Sequence, residues 1–120
     1  MSAYETYMEN SILTATPLQL VAMLYRCAID SVNEARRCLA TGDVAGRVRP
    51  INRAFDAVTE LALSLDFEEG GEMAQRLSDL YAYISQQIIL GHAKQSDEAL
   101  AEAARLLGTM HESWEQIANG

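Results

Sequence analysis

The chain has 120 residues, 49% of them hydrophobic and 22% charged. That is enough for one compact domain with its own core, and too apolar for an intrinsically disordered segment. Nine Lys and Arg against seventeen Asp and Glu give a formal net charge of -8, a balance that repels phosphate backbones and anionic lipid and argues against nucleic-acid or membrane-surface binding.

Residues 1–10 carry neither a basic start nor an apolar run, and the longest apolar run, Leu20 to Tyr25, is far short of a membrane span. A cytoplasmic protein without membrane insertion is expected. Residues 1–15 hold Tyr4, Tyr7, Met8, Ile12 and Leu13, too short a stretch for an independent helix. They read as an apolar, aromatic arm ahead of a domain spanning 16–120, an arm that docks on that domain or waits for a partner.

The first helix opens at Thr16-Pro17, a good N-cap followed by the residue suited to the first helical position. Its apolar stripe runs Val21, Tyr25, Ala28, Val32, Ala35, Leu39 and stops at Thr41-Gly42. Asp43 caps a second helix with the stripe Val44, Val48, Ile51, Phe55, Val58, Ala62, Leu65. Pro50 lies inside that pattern, so a kink near Val48 to Pro50, or a separate first turn, is expected. A loop from Asp66 to Gly71 follows. The third helix carries Ala74, Leu77, Tyr81, Ile84 and Ile88, with Met73 and Leu80 beside them, and is expected to fray at Gly91-His92. Ser96 caps the fourth, whose stripe is Leu100, Ala103, Leu107, Met110, Trp114, Ile117. No segment alternates like a strand. Short connections between long helices predict an all-α protein, an antiparallel up-down four-helix bundle.

Chemistry has little to work with. Glu68-Glu69 and Asp97-Glu98 sit where loops and helix starts favour acids. His92 and His111 have no Cys, second His or paired acid at ligand spacing, and neither has a Glu three residues before it. Gly70-Gly71 lacks the Lys-Ser/Thr of a phosphate loop, and no Ser stands in a nucleophile elbow. Cys27 and Cys38 lie eleven residues apart, about 16 Å along a helix, too far for a disulfide. No enzyme activity, cofactor or metal is expected. The anomaly is the first half of helix one. Between Leu18 and Ile29 only Gln19 and Arg26 break the apolar run, an arc wider than one core face needs. Either this helix is buried on most sides, in part under the arm, or it presents a binding groove. Both hold if the arm covers the groove until a partner displaces it.

These residues resemble those of the FliS-like flagellin export chaperones of the flagellar type III secretion system. The resemblance covers nearly the whole chain. It is carried by Ala3-Tyr4, by Thr14-Ala15-Thr16-Pro17 with Leu20-Val21-Ala22-Met23-Leu24-Tyr25, and by Gly70-Gly71-Glu72-Met73-Ala74 with Leu77, Leu80-Tyr81 and Tyr83-Ile84. Leu106-Leu107 with Trp114 completes it. Thr16 stands where Ser is usual, Pro50 where helix two usually continues, Gln86-Gln87 where a basic pair is common, and Gly91-His92 where Ala-Asn is usual. The resemblance implies a helical bundle that binds the disordered C-terminal segment of flagellin, prevents premature polymerisation and presents it to the export gate. For cargo contact it points to Leu18, Met23 and Ile29 on helix one and to Tyr81 and Tyr83 on helix three, with core packing the competing role for Tyr81. For docking to an export gate component it points to Tyr4 in the arm, and by extension Tyr7. A homodimer in the absence of cargo is a further expectation. The alternative is a helical adaptor or regulator of flagellar assembly whose main partner is another protein.

Overall fold

The computed structural model describes residues 16–119, with side chains to Ile117, together with Ala3 and Glu5. Its described elements are α1 (Pro17–Ala40), α2 (Val44–Leu63), α3 (Phe67–Ala93) and α4 (Asp97–Asn119). They pack in a ring, α1 on α2, α2 on α3, α3 on α4 and α4 back on α1. The α1–α4 pair shows its antiparallel sense in two ion pairs: Arg36 of α1 meets Asp97 at the start of α4, and Arg26 meets Glu115 near its end. This is the expected four-helix bundle.

Local chemistry sets the helix ends. Thr16 and Gln19 form a reciprocal capping box: the Gln19 amide donates to Thr16 Oγ1 at 3.2 Å, and the Thr16 amide to Gln19 Oε1 at 2.9 Å. Asp43 accepts from the Gly46 amide, Asp66 from the Glu68 and Glu69 amides, and Ser96 from the Ala99 amide. Each satisfies donors that the first helical turn leaves unpaired.

The core is filled by Tyr25, Ala28, Val32 and Ala35 of α1, Ile51, Ala54, Val58 and Leu61 of α2, Tyr81, Ile84 and Ile88 of α3, and Leu100, Ala103, Leu107 and Met110 of α4. Three stripes match the periodicity. That of α2 holds at Ile51 and Val58 and is corrected elsewhere: Val44 and Val48 are exposed, while Arg47, Pro50, Ala54 and Leu61 are buried. Alanine carries little weight in a hydrophobic pattern, so the larger valines drew the predicted face to one side. Met73 and Ile117 are also exposed. Pro50 does not set off a separate first turn, because α2 runs unbroken from Val44 to Leu63.

Two further corrections concern α3. The expected loop is a helical turn, Phe67 to Gly70, joined to the long helix at Gly71, whose φ of 51° and ψ of -125° break the spiral. Gly91 does not fray the helix, which continues to Ala93. A Cβ at Gly91 would stand 2.5 Å from the Leu100 side chain and 3.2 Å from the Ser96 carbonyl. The glycine lets α3 and α4 approach backbone to side chain where the chain turns between them.

Candidate functional site

The first turns of α1 are half-buried on several sides. Leu20, Val21, Ala22, Met23 and Leu24 are all partly buried although they point around the whole helix. Tyr25 is the anchor. Its hydroxyl shares a hydrogen bond of 2.5 Å with that of Tyr81 on α3 and accepts from Trp114 Nε1 of α4 at 3.0 Å. Three helices are thereby tied by one buried polar chain, which satisfies groups that would otherwise be costly to bury. Burial raises the Tyr25 hydroxyl above its ordinary pKa, and the bond to Tyr81 adds to this. Burial raises Tyr81 as well, opposed by its bond from Tyr25. Both phenols are protonated at neutral pH.

Beside this anchor the α1–α2 seam opens into a groove of about 490 Å³ lined by Leu24, Cys27, Arg49, Asn52, Arg53, Asp56, Ala57 and Glu60. Leu24, Cys27 and Ala57 give it apolar walls, and the polar residues of α2 form its outer edge. A second, polar recess of about 380 Å³ continues it along α1, sharing Cys27 and Arg53 and adding Asp30, Ser31, Asn33, Glu34 and Arg37. Arg53 Nη1 lies 3.9 Å from Glu34 Oε2 across the seam. Arg49 Nη2 lies 3.5 Å from Glu5 Oε1, a residue from outside the bundle. Burial pushes the Cys27 thiol up, so it is a weak nucleophile at neutral pH, and both cysteines are free. Among the described residues no group of three or more His, Cys, Asp or Glu is arranged to hold a metal ion, and no helix is long and apolar enough to cross a membrane.

The residues expected to contact cargo are not gathered in one groove. Leu18 is 39% exposed at the start of α1, and Met23 and Ile29 are partly buried. At 3.6 residues per turn Leu18 and Ile29 fall in one row, with Met23 about 140° away. Tyr83 is 41% exposed on the outer face of α3, the helix diagonal to α1. Tyr81 is buried and bonded to Tyr25, which places its ring in the core. Tyr4 and Tyr7 lie outside the described residues. Leu24 and Cys27 fall within the wide apolar arc that the sequence shows between Leu18 and Ile29, but their partner wall is not legible there. Arg49, Asn52, Arg53, Asp56 and Glu60 read as an ordinary solvated helix face, and nothing in their spacing marks them as the lip of a groove.

A buried arginine was also missed. Arg47 is 2% exposed. Its Nε donates to His92 Nδ1 at 3.1 Å and its Nη2 to the His92 carbonyl at 3.5 Å, while Nη1 has no hydrogen-bond partner among the described residues. The guanidinium thus sits against the negative end of the α3 dipole. This requires His92 to present a bare Nδ1.

Comparison with known proteins adds a family. The family model of "Flagellar protein FliS" matches residues 1–120. A protein of Salmonella typhimurium named flagellar secretion chaperone FliS is 32% identical over 111 residues, covering 92% of this chain and 82% of its own length. The protein of that name from Campylobacter jejuni is 28% identical over 117 residues, covering 98% and 91%. That from Bacillus subtilis is 24% identical over 113 residues, covering 94% and 84%.

Proposed function

The chain belongs to the FliS family, and from that premise we propose that it is a cytoplasmic export chaperone whose cargo is the disordered C-terminal segment of flagellin. It keeps that segment from polymerising prematurely and delivers it to the flagellar type III export apparatus. The observation that carries this reading is the α1–α2 groove with its Leu24 and Ala57 walls, on a helix whose apolar arc exceeds what the core absorbs. A disordered segment that folds on binding gives up roughly 2–5 kcal/mol in ordering and needs a long interface to offset it. Exposed apolar residues on several faces, Leu18, Val48, Tyr83 and Leu90 among them, support a cargo that wraps the bundle rather than filling one pocket. Helical stretches of such a cargo would seat anchors at i, i+3 and i+4 spacing. Leu18, Met23, Ile29 and Tyr83 are the proposed contacts, and Tyr81 serves them by holding α1 and α3 together. Tyr4 and Tyr7 are proposed to engage the export gate. No catalytic step, cofactor or metal enters this function.

The test is calorimetric titration of the purified protein with a peptide of flagellin's C-terminal region, checked on a sizing column. A stoichiometric complex is expected, and Leu18→Asp should weaken it. No heat and no complex would overturn the reading. A different dominant chain in a pull-down from flagellated cells would favour the adaptor alternative.

A further inference from the structure

We propose that the α1–α2 groove selects its cargo segment by charge as well as by apolar fit: Arg49 takes a carboxylate of that segment, and Glu5 is the chain's own substitute for it. The inference rests on the cargo reading above and adds a specificity-determining residue to it.

The groove is not uniformly charged. Along α2 its lining runs Arg49, Asn52, Arg53, Asp56, Ala57, Glu60, cations at one end and acids at the other. Arg53 is turned toward Glu34 of α1. The Arg49 ion pair is with Glu5, which lies outside the four helices, far away in sequence. A separate stretch of polypeptide thus delivers a carboxylate to the groove's basic end, and that is the chemistry an incoming segment must reproduce. The net charge of -8 makes most of the surface repel acidic segments, so a basic groove end is distinctive. The order of charges also sets direction. A segment with its carboxylate at Arg49 and a cation toward Asp56 and Glu60 is favoured over the same segment reversed.

The side chains of Arg49 and Glu5 are 75% and 49% exposed. A pair so placed changes an equilibrium constant by about fivefold at most. That weakness suits a displaceable contact: Glu5 occupies Arg49 without locking the groove, and a cargo carboxylate exchanges with it.

The experiment titrates the full chain with the flagellin C-terminal peptide, and with the same peptide carrying Gln and Asn in place of Glu and Asp. Arg49→Glu is expected to weaken the native peptide by about three- to tenfold, and Glu5→Gln to strengthen it by about two- to fivefold. Arg49→Glu also releases Glu5, so it should strengthen the neutralised peptide by about two- to fivefold, as Glu5→Gln does. Unchanged native-peptide affinity in Arg49→Glu, or an equal loss for the neutralised peptide, overturns charge selection while leaving the chaperone reading intact. If neither the parent nor any variant binds the peptide, both readings fall. Circular dichroism of each variant confirms the fold, since Arg49 and Glu5 are solvent-facing.

Discussion

At the scale of single residues, the stabilising peculiarities of this chain are polar groups inside an apolar core. Tyr25, Tyr81 and Trp114 form a relay in which each buried hydroxyl or indole N–H has a partner. Removing one member leaves the others short of a bond, which typically costs about 1–3 kcal/mol. Tyr81→Phe is therefore expected to lower unfolding stability by about 1 kcal/mol in urea titration followed by Trp114 fluorescence. The raised pKa values of Tyr25 and Tyr81 give a pH dependence. Their folded values lie above the unfolded one near 10, so their contribution is complete below about pH 10 and falls as pH rises beyond it. Ultraviolet difference absorbance on alkaline titration should show both phenols ionising together with loss of helicity, and early ionisation in the folded state would contradict this. Arg47 and His92 give a second contrast. His92→Ala keeps the carbonyl that Nη2 uses but strands the buried Nε donor of Arg47 and is expected to cost about 1–3 kcal/mol, whereas Arg47→Met, apolar and unbranched, should cost less. Thermal melts of the two variants decide it. Arg47 was illegible in sequence because charged residues ordinarily mark the solvated side of a helix.

At the scale of elements, the glycines divide by what surrounds them. Gly71 holds φ at 51° where α3 breaks, a region costly for any residue with a Cβ, so Gly71→Ala should destabilise by about 1–2 kcal/mol. Gly91→Ala meets Leu100 instead and should cost about 1–3 kcal/mol by overpacking the α3–α4 contact. A Cβ at Gly108 would meet nothing within 4 Å, and this residue lies inside α4, so Gly108→Ala should stabilise by about 0.5–1 kcal/mol. Denaturant midpoints for the three would separate backbone strain, overpacking and helix propensity. The helix starts were readable because capping is local: Thr16, Asp43 and Ser96 act on amides within three residues. The face of α2 was legible only in part: Ile51 and Val58 lie on it, but Ala54, Ala57, Pro50 and an arginine fill the rest of the buried side, and only contact with α1 and α3 selects that side over Val44 and Val48.

At the scale of the molecule, the bundle is one ring of four helices with a groove left along its α1–α2 edge. Deleting residues 1–15 removes Glu5 from Arg49 and is expected to strengthen binding of the flagellin peptide, measured by calorimetry against the full chain. Equal or weaker binding would mean that this segment does not compete for the groove. The surface ion pairs do not hold the bundle together. The Arg36 guanidinium lowers the Asp97 pKa, but that pair is exposed and screened by solvent. Hydrophobic period, caps and motif spacing act over a few residues, so the order of amino acids alone established the all-helical class, the four helices of the bundle and three of their four buried faces. Its resemblance to export chaperones identified the family. The groove's polar lip, the buried Arg47, the core position of Tyr81 and the meeting of Glu5 with Arg49 came from the packed fold. Each depends on which helix faces lie against one another, and residues distant along the chain acquire that relation only when the bundle closes.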